Sequence, residues 1–190
     1  QRGQGSSGYM LDVYYQVIQF DEDVFVQSGQ RRINGATTQL LVDLTTGGYQ
    51  SVDINKTALL YSVVLSSAIG GVEYQYLTRG DFINNGNTLQ FRRFNGGASI
   101  DWIDPMWYAI EFLDTTYVQT GTATLTVSDP SAADVTINAL VPSRSISFAS
   151  WDYNLTGNRE LDHAYVTSAI TSSTNIKFMR RAATTQTNNI

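Results

Sequence analysis

The chain offers few residues whose types and spacing could carry out acid–base or nucleophilic chemistry. A Ser-His-Asp triad could use only His163, the single histidine, and no GxSxG nucleophile elbow lies near it. His163 stands in a predicted strand that begins with the tetrapeptide Asp-His-Ala-Tyr. We therefore interpret it as an imidazole on a strand surface, and we predict no catalytic residue in this chain.

Carboxylates form two small groups. Asp101 and Asp104 flank Trp102 at the start of a predicted strand, but general acid–base catalysis would need a water-excluding cleft that nothing else in the sequence builds. The acidic run at 21–23 lacks the DxDxDG spacing of a calcium loop and is interpreted as a solvated hinge. The chain has no cysteine, which excludes disulfides and cysteine metal sites. We predict no metal and no cofactor.

An aromatic and polar patch could stack on a sugar ring. It consists of Trp151, Asp152, Tyr153, Asn154 and Arg159. The alternative is that Trp151 simply ends a strand, the one containing Ile146 and Phe148, against the core. Asn55 and Asn154 each begin an N-x-Thr triplet, so both are candidate N-glycosylation sites if the protein is exported through a glycosylating pathway.

The composition favours an exported β-protein. A net charge of −5 and a pI near 4.7 argue against nucleic acid as a partner. Charged residues make up only 15% of the chain and small polar residues are abundant, which predicts a location outside the cell, on a cell surface or on a virion. No apolar run is long enough for a membrane span. Because the sequence begins with Gln, we expect a removed leader or a start inside a longer precursor.

Short apolar segments predict an all-β fold. No long stretch shows helical periodicity, and turn signals recur at a spacing of about 8 to 12 residues, as in antiparallel β-sandwiches of the jelly-roll or immunoglobulin-like kind. The predicted strands include 49–54, 117–119 and 146–151. The triplet Asn-Asn-Gly at 84–86 predicts a turn before a strand at 89–94.

The sequence contains an internal repeat. Residues 11–29, LDVYYQVIQFDEDVFVQSG, align without a gap on residues 103–121, IDPMWYAIEFLDTTYVQTG, at an offset of 104 − 12 = 92. Two weaker correspondences keep the same order; they relate 58–64 to 145–151 and 88–94 to 175–181. We therefore predict two tandem β-sandwich repeats of about 90 residues each. Their predicted bounds are 21–112 and 113–190, after an N-terminal extension at 1–20.

The second predicted repeat lacks a closing strand. The first repeat closes with the strand at 103–112, and the spare copy of that strand is Tyr9 to Phe20, at the opposite end of the sequence. This segment is apolar on both faces, so it needs cover on both sides. We predict that it is a donor strand, acting through Leu11, Val13, Tyr14, Tyr15, Val17, Ile18 and Phe20. The predicted acceptor residues are Ile146, Phe148, Ile176 and Phe178.

Three motifs carry a family resemblance: ISFASW at 146–151, WYAIEF at 107–112 and the strand KFMRR at 177–181. They resemble the tandem β-sandwich modules of phage and prokaryotic surface proteins, some of them distantly similar to H-type lectin domains. A spare strand beside an incomplete sandwich also resembles the subunits of pili and fibres that assemble by donor-strand complementation. The resemblance implies a non-enzymatic subunit of an extracellular filament, whose partner is another copy of itself, bound head to tail.

The repeat is compatible with three sources of the strand and with a second class of function. The strand could be donated between subunits, could close within one chain, or could reflect excision from a longer covalent array. In a different class of function, the chain would be a receptor-binding module of a phage or cell surface that recognises glycans, with the strand closed inside the monomer.

Overall fold

The computed structural model of the chain describes residues 16–20, 22–34, 37–65, 77–93, 102–125, 132–154, 166–180 and 187–189. Within these ranges the fold is all-β and consists of several antiparallel sheets. Among the described residues the helical elements are two short 3-10 turns, at Asn84–Gly86 and Pro142–Arg144. The all-β prediction is confirmed. No helix among the described residues has the length and apolar character needed to cross a membrane.

The strands are numbered in chain order. We call residues 22–112 the N-terminal half and residues 113–189 the C-terminal half. The first contains β1 (Val24–Gln30), β2 (Ile33–Asn34), β3 (Gln39–Asp43), β4 (Thr57–Leu65), β5 (Arg79–Ile83), β6 (Thr88–Arg92) and β7 (Trp102–Phe112). The second contains β8 (Thr124–Leu125), β9 (Ala132–Thr136), β10 (Asp152–Asn154), β11 (Val166–Ser172), β12 (Asn175–Arg180) and β13 (Thr187–Asn189).

The N-terminal half is built from two sheets that face each other. In the larger one β7 is central, with β1 and β2 along one edge and β4 along the other, all antiparallel to it. The other sheet has the order β3-β6-β5. Alternate side chains of β7 point inward, and Ile103, Trp107 and Ala109 are completely buried. They meet Leu89 and Phe91 of β6 in one apolar core, so this half is sandwich-like.

The hairpin between β5 and β6 shows how the sequence fixes a turn. Asn84, Asn85 and Gly86 have φ values of 52°, 55° and 83°, the left-handed region that Asn and Gly adopt most readily. A side chain at Gly86 would collide with the carbonyl of Val52, whose amide in turn donates to the Gly86 carbonyl. The predicted Asn-Asn-Gly turn is confirmed.

The C-terminal half repeats one of these sheets and not the other. The sheet β9-β12-β11 has the same order and direction of strands as β3-β6-β5. The remaining sheet is a small one, with β13 between β8 and β10. The core of this half contains only two fully buried apolar residues among those described, Leu125 and Val166, with Trp151 and Phe178 partly buried against them.

Three predicted strands are absent from the described structure. Residues 49–54 form no strand, because the Gln50 backbone is bonded by the side chain of Gln27 and the Val52 amide donates to the Gly86 carbonyl. Residues 117–119 and 146–151 also form no strand. Both of the latter segments flank the place where a central strand would have to pair with them.

Candidate functional site

The candidate site is defined by comparing what surrounds β7 with what occupies the matching place in the C-terminal half. In the N-terminal half, Trp107 of β7 is directly opposite Gly29 of β1 on one side and Tyr61 of β4 on the other. Trp107 also packs at 5.3 Å, centroid to centroid, on Tyr49. β7 therefore pairs with β1 on one side and with β4 on the other, and the side chain of Trp107 lies at the centre of these three strands.

The first flanking segment, residues 116–122, matches β1 at the offset of 92. Its clearest marker is a glutamine. The Gln27 side chain donates to the Gln50 carbonyl at 2.7 Å and accepts from the Gln50 amide at 3.0 Å. Gln119, at 27 + 92, donates to the Asn138 carbonyl at 3.0 Å and accepts from its amide at 2.8 Å. The same two-bond clamp holds both segments to the chain that follows, although 116–122 forms no strand.

The second flanking segment, residues 145–151, matches β4, but one residue away from the sequence alignment. Ser147 contacts Ser168 at 3.0 Å between hydroxyl oxygens, and Ala149 and Trp151 pack on the small core. In β4 the inward side chains are Leu59, Tyr61 and Val63. Ala149 therefore corresponds to Tyr61, at an offset of 149 − 61 = 88, and Trp151 corresponds to Val63. This correspondence differs by one residue from the sequence alignment of 58–64 with 145–151, and a shift of one residue exchanges the inward and outward faces of a strand.

This shift places the predicted acceptor residues. Ile146 and Phe148 point outward and are 78% and 61% exposed. Ile176 and Phe178 lie on β12, in the other sheet of this half, where both are partly buried and Phe178 packs against the core. The four residues thus do not form one surface. The inward wall of the gap is lined instead by Ala149 and Trp151.

β13 lies at one end of the gap. Asn188 is opposite Leu125 on one side and Tyr153 on the other. In the N-terminal half, Ile103 is opposite Ile33 and Leu65. Leu125 is 33 + 92 and Tyr153 is 65 + 88, so β13 takes the place of the first residues of β7. Among the described residues, no strand occupies the places that match 105–112. We call this gap between 116–122 and 145–151 the open strand position.

A pair of glycines shows the same difference at atomic scale. A Cβ atom added to Gly29 would lie 2.7 Å from the Tyr49 hydroxyl and 2.8 Å from the Trp107 ring. Gly121, at 29 + 92, has no atom of the described residues within 4 Å of an added Cβ. The surface above Gly121 is therefore free, where the surface above Gly29 is covered by an indole ring.

The predicted donor strand is only partly described. Val17 and Ile18 are 83% and 66% exposed, and Phe20 makes an edge-on contact with Phe112 at 6.2 Å. Residues 16–20 form no strand in this structure. The remaining donor residues, Leu11, Val13, Tyr14 and Tyr15, lie outside the described residues.

A cluster of polar groups joins the two halves beside the gap. The Ser150 hydroxyl accepts from the Gly80 amide at 3.4 Å, and Tyr61 donates to the Thr78 carbonyl. Burial raises the pKa of Tyr61 to about 12. Burial also raises the pKa of Asp81; the charge of Arg79 opposes this shift, and the carboxylate of Asp152 adds to it.

The residues considered for chemistry are not brought together. His163, Asp101 and Asp21 lie outside the described residues. Asp104 is buried and accepts two bonds from the Arg32 guanidinium, at 2.9 and 2.8 Å, while Arg32 stacks at 4.0 Å on the Trp102 ring. Asp104 is thus committed to an ion pair. Within the described ranges no three potential metal ligands cluster.

Only two residues of the predicted sugar-binding patch have side chains that the structure describes. Trp151 packs on the core and Asp152 is buried, while Arg159 and the side chains of Tyr153 and Asn154 lie outside what the structure describes. Asn55 is exposed on the turn before β4, as a glycan acceptor would have to be.

Comparison with known proteins gives no match: no family model, no curated protein and no solved structure is similar to the chain.

Proposed function

We propose that the chain consists of two tandem β-sandwich repeats and is a non-enzymatic structural subunit of an extracellular filament. Each subunit inserts its N-terminal strand into the open strand position of a neighbour. One observation carries the proposal: the segments that match β1 and β4 flank a position with no described strand, while residues 11–20 match the strand that fills it in the N-terminal half.

Exposure of apolar groups on both partners supports the pairing. Val17 and Ile18 stand in solvent on the donor, and the surface above Gly121 is free on the acceptor. Burying an aliphatic side chain contributes about 1.5 to 3 kcal/mol. The core of the C-terminal half is small. The free energy of unfolding of a whole domain is typically about 5 to 15 kcal/mol, so a strand that buries several such side chains would add a large fraction of it.

Donation between subunits is favoured over closure within one chain. Phe20 contacts Phe112 of its own chain while Val17 and Ile18 are exposed, so these residues are not inserted into the gap. The joint at Phe20 also matches the joint at Phe112 in sequence, which suggests the same geometric step at both joints. A repeated step that is not a half-turn generates a ring or a helical filament.

The test uses the full chain at native length. Val17→Asp with Ile18→Asp places two carboxylates where burial would leave them without partners, at a cost of several kcal/mol. Gln16→Asp with Gln19→Asp adds the same charge at polar positions and is the matched control. We expect filaments by negative-stain microscopy for the wild type and the control, and monomers for the first variant.

A capping experiment separates the sources of the strand. A synthetic peptide of residues 9–20, added in excess to the full chain, should shorten the filaments, whereas a scrambled peptide should not. Monomers at every protein concentration would contradict the filament, and would leave closure within one chain or excision from a longer array as the explanation of the repeat.

A further inference from the structure

We propose that the donor strand inserts in one register, in which Tyr15 covers Gly121 and lies opposite Ala149, and that this aromatic side chain sets the register. This inference rests on the proposed function and specifies its partner residue by residue. Three sets of observations on the acceptor support it: the strand ladders of the N-terminal half, the position of β13, and the space at Gly121.

The ladders give the register from two sides. On the β1 side, Gly29 is opposite Trp107. Gly121 matches Gly29, since 29 + 92 = 121, and Tyr15 matches Trp107, since 107 − 92 = 15. On the β4 side, Tyr61 is opposite Trp107. Ala149 matches Tyr61, since 61 + 88 = 149, and Tyr15 again matches Trp107. Both flanks therefore lead to the same donor residue when the donor strand is aligned with β7 at the offset of 92.

β13 agrees with this register. Asn188 has the same neighbours as Ile103, on both sides, after the two offsets are applied. Ile103 matches Leu11, since 103 − 92 = 11, so Asn188 marks the place of residue 11. Donor residues 13–20 then match the places of 105–112, next to β13 and in the same direction.

The alternation of side chains excludes neighbouring registers. Val13, Tyr15 and Val17 match Pro105, Trp107 and Ala109, which are completely buried. A slip by one residue would instead turn Gln16 inward, where its amide would lack partners. A slip by two would put a valine over Gly121, and the space that an indole ring fills over Gly29 would stay partly empty. Ala149 enlarges that space, because it stands where β4 has Tyr61.

The backbone at Val118 is already oriented for this pairing. The Arg31 amide donates to Pro105 at 3.3 Å and the Leu113 amide to Asp23 at 2.8 Å, so odd-numbered residues of β1 form the hydrogen-bonded pairs. Val26 is then a non-hydrogen-bonded residue, and so is Val118 at 26 + 92. The Val118 amide indeed points elsewhere and donates to the Asn55 carbonyl at 2.7 Å.

A cysteine cross-link measures the register directly, since the chain has no native cysteine. Ile18 should lie opposite Val118 in a non-hydrogen-bonded pair, where Cβ atoms approach closely enough for a disulfide. The full chain carrying Ile18→Cys with Val118→Cys should form a ladder of covalent multimers on oxidation. The matched controls, Gln16→Cys and Phe20→Cys, each with Val118→Cys, are two residues out of register and should stay non-covalent.

The outcomes separate the register from the function. Filaments that cross-link through residue 16 or 20 would overturn the register and leave strand donation standing. An 18–118 disulfide inside one monomer would keep the register and overturn donation between subunits. Absence of both filaments and cross-links would overturn the two together.

A second variant tests the role of Gly121. Gly121→Val fills the free space and should abolish filaments, whereas Thr120→Val, on the opposite face, should not. Adding Tyr15→Ala to Gly121→Val should restore part of the polymer by returning the lost volume. Filaments of wild-type length from Gly121→Val alone would refute the contact.

Discussion

Each half of the molecule contains a three-stranded sheet with the same strand order, and the two halves differ in their second sheet. β3-β6-β5 and β9-β12-β11 have the same order, and both halves carry the same glutamine clamp, at Gln27 and Gln119. Within the part of the chain that the structure describes, only the N-terminal half has a long strand at the centre of its second sheet. In the other half, segment 116–122 keeps its glutamine clamp and segment 145–151 keeps its contacts with the core, yet neither forms a strand.

The difference teaches how this sheet is held together. β1 and β4 do not pair with each other; each pairs only with β7. A strand needs a hydrogen-bonding neighbour, and residues whose only neighbour is the central strand lose their ladder when it is not there. Position and burial can therefore be set by clamps and core contacts, while strand structure depends on the partner.

The largest expected contrast concerns the central aromatic. Trp107→Ala should lower the free energy of unfolding of the N-terminal half by about 3 to 5 kcal/mol, because it empties a completely buried site. Tyr15→Ala, at the matching position, should leave the unfolding of a monomeric subunit unchanged. Both are measured by hydrogen exchange at dilutions at which the subunit is monomeric. A comparable loss from Tyr15→Ala would show that the strand closes its own chain.

The second contrast is alkaline sensitivity. Burial raises the pKa of Tyr61 from 10.0 to about 12, so the folded state holds this proton while the unfolded state releases it. The free energy of unfolding should fall as pH rises from 10 to 12, by up to roughly 3 kcal/mol, and level off above. Tyr61→Phe should remove this component. Ala149 stands at the matching place in the C-terminal half, which should therefore lack it; equal pH dependence of wild type and variant would contradict the assignment.

The smallest contrast uses the paired glycines. Gly29→Ala forces a Cβ against Tyr49 and Trp107 and should cost about 1 to 3 kcal/mol. Gly121→Ala meets open space in the monomer and should change its stability by less than about 0.5 kcal/mol. Urea denaturation of the two variants, at dilutions at which the subunit is monomeric, gives both changes in the free energy of unfolding. Equal losses would mean that Gly121 is already covered.

The sequence predicted much of this fold and misjudged particular parts of it. The Asn-Asn-Gly turn and the apolar strands β4 and β12 were predictable because turn chemistry and alternation are local signals. The repeat alignment at 145–151 is a weak one, and it does not determine which of its side chains face the core. Contacts of Ser147 and Trp151 with distant segments decide the phase instead, and no local pattern records them.

The gap itself was predictable only from the repeat. The alignment of 11–29 with 103–121 identified which strand was duplicated, whereas the clamp at Gln119 and the position of β13 depend on contacts between residues far apart in the chain. The signal for the clamp was available, since Gln27 and Gln119 are identical at the offset of 92. Its meaning required the partner carbonyls.

β13 marks one end of the open strand position. By the proposed register its residues 187–189 take the places of donor residues 10–12, so the part of a donated strand that pairs with the flanking segments would lie between residues 13 and 20. The acceptor would then limit the length of the inserted strand as well as bind it. A peptide of residues 13–20 should bind as tightly as one of residues 9–20, and the residues before Val13 would form a tether that spaces each subunit from its surroundings without contributing to its grip.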